Sequence, residues 1–205
     1  MDFYSAGVRP PDQLVADDFL LRPLRTVDVD LDYDAVMENP AALRLSSGGA
    51  WPADDFTLEE NLIDLAEHEN EHNQGVAFTY TMVNRDQNEC LGCVYVNQLT
   101  TTYRLVEMVK PVTIDARHAI VRYWVRQSRV KDDLDWGLLH ALIGWFSDEW
   151  RLSTAYFRAH EDDERQRFLM AEAALPHSLT LELQGRRGRF LAFGPVATLD
   201  KEGSR

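Results

Sequence analysis

Three stretches of this sequence carry residues whose types and spacing could do chemistry. His68-Glu69-Asn70-Glu71-His72 spells H-E-x-x-H; on a helix both histidines would share a face and could chelate zinc, with the glutamate as base. Cys90-Leu91-Gly92-Cys93 is a C-x-x-C pair, the spacing of thiol redox centres and of half a zinc site. Residues 119–150 read as strand, tight turn and helix. A turn of that kind leaves the first amides of the helix unpaired and aimed at one point, where an anion such as a cofactor phosphate can bind.

The first two motifs weaken when their elements are considered. Leu58, Leu62, Leu65 and Ala66 set an apolar face that puts Glu69 in its middle, so the helix is expected to fray near His68. No third zinc ligand is evident, and Gly75 closes the segment. The cysteines follow a strand at 76–83 and sit about 25 Å from the helix end, at about 3.3 Å per residue. Positions 90 and 93 of a strand point to opposite faces, which predicts structural thiols and no metal. Trp124, Trp136, Trp145 and Trp150 read as core, and no P-loop, G-x-S-x-G or dinucleotide fingerprint occurs.

At 205 residues the chain suits one domain with a full core. A formal charge of −13 argues against nucleic acid or anionic membranes as general partners. No apolar run is long enough to span a bilayer, and the first residues lack a basic then apolar pattern, so no secretory signal is expected. With two cysteines there is no disulfide framework, so a cytoplasmic setting is expected. An extended arm (1–17) leads into the domain (18–195), and a loose tail (196–205) follows it. Within the domain the order is a strand at 18–24, a helix at 28–37, a short turn opened by Pro40, a loop at 46–52, then a helix from 58 to about 70 capped by Thr57 and Glu60. A hairpin (76–83, 89–96) and a long polar segment (97–117), with room for short strand extensions, come next. The strand at 119–126, the helix from 134, a strand at 153–157, a helix at 162–175 and a last hairpin around Gly185–Gly188 complete it. The class is α/β (α+β), one mixed sheet with helices.

That order, with FLLRPL opening it, ECLGCVYV as its third strand and RYWVR before the longest helix, resembles the GNAT superfamily of N-acetyltransferases over residues 18–193. The resemblance implies a central, mostly antiparallel sheet of about seven strands flanked by helices. It also implies acetyl-CoA as co-substrate and a primary amine of a small molecule or peptide as acceptor. The pantetheine arm would lie along the splayed central strand and the pyrophosphate on the following turn, engaging Trp124, Val125, Arg126, Gln127, Arg129, Lys131 and Asp132. An oxyanion would be held by a backbone amide near Val125. A homodimer is left open by the aromatic-rich sheet and the 97–117 segment.

The sequence departs from the family at three places. The turn has no glycine before Gly137, and Asp132, Asp133 and Asp135 crowd the helix start, where carboxylates cap amides a phosphate would need. Ile120 stands where many members carry a catalytic glutamate; His118, two residues earlier, is the nearby side chain with a suitable ordinary pKa. Phe168 occupies the helix expected to offer a tyrosine acid, and Tyr156 is the nearest alternative. Two readings therefore stand: an acetyltransferase using His118 and Tyr156, or a GNAT-like fold that has lost catalysis and serves as a binding or assembly module.

Overall fold

In the computed structural model, which describes residues 3–4 and 9–199, the alternation at 119–126 becomes strand β6 (His118–Val125). It lies at the middle of a nine-stranded sheet of order β1-β2-β3-β4-β6-β7-β9-β8-β5. These are β1 (Leu14–Val15), β2 (Leu20–Pro23), β3 (Phe78–Val83), β4 (Cys90–Gln98), β5 (Arg104–Met108), β7 (Thr154–His160), β8 (His177–Glu182) and β9 (Phe190–Val196). Every neighbouring pair is antiparallel except β6 with β7. The two strands beyond the expected seven are both edges: β1 comes from the arm, and β5 from the polar segment 97–117.

The helices are α1 (Val29–Glu38), α2 (Pro40–Ser47), α3 (Leu58–Gln74), α4 (Leu99–Thr102), α5 (Gln127–Val130), α6 (Leu134–Glu149) and α7 (Glu164–Glu172). They cover two faces with separate cores, and a third apolar cluster gathers Leu99, Tyr103, Ile120, Tyr156 and Phe190 towards β8. On one face, Leu138, Leu142, Trp145 and Phe146 of α6 pack on Val121 and Tyr123 of β6, with Trp150 stacked 4.8 Å from Phe146. Phe3 and Tyr4 of the arm reach the same core, against Phe78. On the other, Ala35, Val36, Leu43 and Leu65 from α1–α3 pack on Cys93, Tyr95 and Trp124. Residues 1–2 and 5–8 of the arm and 200–205 of the tail lie outside the described residues; Val196 still belongs to β9 and the Leu199 amide donates to Trp150 O. No helix among the described residues is long and apolar enough to cross a membrane.

Two local expectations need correction. Helix α3 does not fray at His68 but runs to Gln74, where Gly75 ends it in the left-handed conformation. Glu69 is held in place by accepting the Thr26 N–H at 2.9 Å, a partner 43 residues away. The cysteines do not face opposite ways. Val83 pairs with Cys90 but Met82 with Gly92, so Leu91 is an extra residue that flips the parity, and both thiols enter one core. Gly92 is required at this bulge, since a Cβ there would stand 2.2 Å from Trp124 O. Both thiols are free and buried; burial pushes Cys90 up to about 12 and Cys93 well above the ordinary thiol value, so neither is a thiolate at neutral pH.

Candidate active site

The parallel pair β6–β7 is joined only from His118–Thr154 to Val121–Phe157 and then diverges. Beyond that point the inner edge of β6 is bonded by side chains instead of strand. Tyr123 O accepts from Gln166 Nε2 and Val125 O from Asn39 Nδ2, each at 2.9 Å. Asn39 is buried at the α1–α2 junction, and its Oδ1 accepts the Gln127 N–H at 2.7 Å, so one amide group bridges the strand end to the turn.

The turn itself is a single helical turn, α5, in which the Ser128 N–H donates to Glu38 Oε1 at 2.7 Å. Arg126 is buried among three carboxylates: it bonds Asp34, and Glu38 and Glu89 stand 3.5 Å away. Arg129 takes both oxygens of Glu89 at 2.8 and 3.0 Å. Asp133 and Asp135, at the start of α6, are both held by Arg165, and Asp135 also accepts from the adjacent Trp136 amide. Desolvation pushes the Glu38 carboxyl up, but the Ser128 hydrogen bonds and the Arg126 charge outweigh it and hold it below the usual range. A cleft of about 380 Å³ opens beside this turn, lined by Glu89, Arg129, Asp132 and Leu134.

The seven residues expected at a cofactor, Trp124 to Asp132, are thus brought together at the open end of the divergence. His118 and Tyr156 are also brought together, with rings stacked 6.3 Å apart, but at the closed end. Seven residues at about 3.3 Å each put His118 about 23 Å from Val125. His118 Nδ1 lies 2.8 Å from Asp115 Oδ1, tying down the loop before β6.

Across β6 from α6 lies a second cavity, of about 220 Å³, that sequence reading missed. Asp32 of α1, Asn61, Asp64 and His68 of α3, Arg122 of β6 and Arg186 of the last hairpin line it. Its origin is a rotation of α3: the buried face runs through Asn61 and Leu65, while Leu58 and Leu62 are left exposed. Asn61 and Asp64, with Leu65 and His68, recur at helical spacing, a polar stripe that could have been noticed. Asp32 is buried and accepts from Asn61 Nδ2 at 3.0 Å; burial pushes its carboxyl up to about 6. Asp64 accepts from Trp51 Nε1 at 2.9 Å. His68 is held down to about 4, first by burial and then by the nearby charge of Arg122. Arg122 lies 3.7 Å over the Tyr95 ring, its cross-strand neighbour.

No protein-family model matches this chain, and a search of curated proteins finds no match. Solved structures do match in fold. The ribosomal L7/L12 alpha-N-protein acetyltransferase RimL, in complex with coenzyme A, superposes with a TM-score of 0.66 at 18% identity, covering 89% of this chain and 96% of its own. The microcin C7 self-immunity acetyltransferase MccE, with acetyl-CoA and AMP, gives 0.66 at 12% identity, over 88% and 93% of the two chains. Mycobacterium smegmatis RimJ, with a CoA disulfide, gives 0.60 at 16% identity, over 91% and 88%. The fold is that of the GNAT acetyltransferases, as FLLRPL, ECLGCVYV and RYWVR implied.

Proposed function

We propose that this protein transfers an acetyl group from acetyl-CoA to the primary amine of a small molecule or peptide. The divergence of β6 from β7 carries the reading: a turn rich in amide and cationic donors lies at its open end, and a polar cavity lies across the same strand. The coenzyme A bound to RimL, the acetyl-CoA bound to MccE and the alpha-N-protein acetylation for which RimL is named support it.

The residues of the turn fit a diphosphate by exchange. Glu38 already makes the contacts a phosphate oxygen would make, to the Ser128 amide and towards Arg126, and it is an exposed carboxylate that water can reclaim at little cost. With it displaced, Arg126, Arg129, Lys131 and the Ser128 amide would hold the diphosphate, while the Gln127 amide stays with Asn39. When bound, acetyl-CoA supplies a thioester carbonyl for the amine to attack. The chain has to take a proton from the incoming ammonium and leave a free lone pair. Asp32 suits that role, because burial raises its carboxyl towards neutrality inside the cavity. Of the pair read from sequence, His118 stands about 13 Å along the strand from Arg122, and Tyr156, level with Ile120 on β7, about 7 Å along and one strand across, so His118 would reach the amine only through water.

Calorimetric titration with CoA and acetyl-CoA tests the reading. Binding is expected, and Glu38→Gln should tighten it several-fold by removing the competing anion. No heat at millimolar CoA, in either protein, would remove the enzyme reading. It would leave the second, favoured by Asn39 and Glu38 already satisfying the turn: a GNAT-fold binding or assembly module. Two buried free thiols fit the reducing cytoplasm we propose for it. Any homodimer would use the exposed outer side of β5, where Val106 and Met108 are open.

A further inference from the structure

The 220 Å³ cavity holds charges of both signs that do not neutralise one another. Asp32 is bonded to Asn61, Asp64 to Trp51, and Arg122 rests on the Tyr95 ring; no ion pair joins these two carboxylates to Arg122 or Arg186 among the described residues. Unlike charges sharing a partly buried cavity attract by several kcal/mol if they can meet. Here Asp32, Asp64 and Arg122 are each held in place by an uncharged neighbour instead. Asn61 adds an independent mark. Its Nδ2 must face the Asp32 carboxylate, which fixes the amide orientation and leaves Oδ1, in a side chain with 0% exposure, without any partner. A buried acceptor of this kind costs stability unless a donor arrives. Gly48 brings the Arg186 hairpin up to this cavity, because its φ is +62° and a Cβ on it would stand 2.4 Å from Arg187 O.

We infer that this cavity binds a zwitterion, the ammonium and carboxylate of a free α-amino acid. The ammonium faces Asp32, Asp64 and Asn61 Oδ1; the carboxylate faces Arg122 and Arg186. Leu24, Leu65 and Trp51 provide apolar wall, so the side chain is apolar and of modest size. As the acceptor of the transfer proposed above, the ligand rests on that reading, but its binding does not.

The probes are L-leucine, L-leucinamide, which lacks the carboxylate, and N-acetyl-L-leucine, which lacks the ammonium. Each is titrated into the full chain without coenzyme and followed by calorimetry or ligand-observed NMR. Leucine should bind at least tenfold more tightly than either derivative. Arg122→Gln should abolish the preference over leucinamide, Arg122→Lys should restore part of it, and Asp32→Asn should abolish the preference over N-acetyl-leucine. Thermal melts check that each variant is folded. Leucinamide binding as tightly as leucine would overturn the proposal in favour of a plain amine site, and N-acetyl-leucine doing so would leave a plain anion site. Absence of binding by all three at about 10 mM, far weaker than ordinary recognition, would also overturn it. Leucine that binds but is not acetylated with acetyl-CoA present would keep the site and sink the transferase reading instead.

Discussion

Two regions flank the same strand end and mix the same kinds of side chain, yet they treat charge differently. At the turn after β6, Arg126, Arg129 and Arg165 each hold at least one carboxylate, and backbone amides are capped by Asn39 and Glu38. In the cavity across the strand, Asp32, Asp64 and Arg122 are each fixed by an uncharged neighbour, and an amide oxygen has no partner. Paired charge holds α1, the residue before β4 and the turn together and needs nothing further. Charge kept apart contributes little to folding, and its arrangement is explained by a ligand. A phosphate at the first region has to compete; a zwitterion at the second only has to arrive.

Removing a paired charge should have the largest effect. Arg126→Met leaves Asp34, Glu38 and Glu89 around an uncharged stem and strips a side chain that is 10% exposed. Breaking a buried pair costs about 3 kcal/mol at the low end, and the two outer carboxylates can regain water, so that end applies. Urea denaturation at low ionic strength measures it, and added salt should recover part of the loss by screening the three carboxylates. A loss under about 1 kcal/mol, insensitive to salt, would mean that the pairing at the turn is incidental.

Next in size is an effect of opposite sign from the cavity. Asp32 has a raised folded value, so its ionised form burdens the native state; stability falls as pH rises from about 4 to about 6. Asp32→Asn keeps an acceptor for Asn61 and should be more stable than the parent by up to about 3 kcal/mol above pH 7, a gain that vanishes below pH 4. His68 acts the other way: its folded value is depressed, so stability is lost as pH falls from 6.5 to about 4. The two slopes offset each other in the parent, and Asp32→Asn should expose the His68 loss as a steeper decline on acidification. Parallel pH profiles for parent and variant would refute this account.

Much of the scaffold was legible because its signals are local. The Thr57–Glu60 capping box, Gly75 as a left-handed terminus and the alternation through Tyr123 and Val125 all produce the elements expected of them. What failed depends on distant partners. The bulge at Leu91 arises from how β4 meets β3, and it reverses a parity argument that is sound for a regular strand. Helix α3 survives past His68 because Glu69 has a partner on the segment before α1. The donors and acceptors that occupy the turn, Asn39 and Glu38, lie 88 and 90 residues from the amides they bind. The aspartates at 132–135 read as caps for α6; the N-cap Asp133 makes no side-chain cap bond, Asp135 accepts only the adjacent Trp136 amide, and both answer to Arg165, on another helix. The cavity draws on α1, α2, α3, β4, β6 and three loops, and its one local trace is the polar stripe along α3.

The smallest expected effect puts the comparison most directly. Arg122→Leu removes a guanidinium with no carboxylate partner, so only its ring contact with Tyr95 is lost, about 0.5–1 kcal/mol. Leucine keeps apolar contact with the ring, and stability should therefore change by less than about 1 kcal/mol, against the larger loss for Arg126→Met four residues along the chain. The same variant takes away the second of the two influences that depress His68, leaving burial alone, so the imidazole should titrate higher than in the parent. A pH series of NMR spectra reads that shift without any assumption about activity. A large destabilisation, or an unmoved His68, would show that Arg122 is bound into the fold as firmly as Arg126, and the distinction between the two sides of the strand would fail.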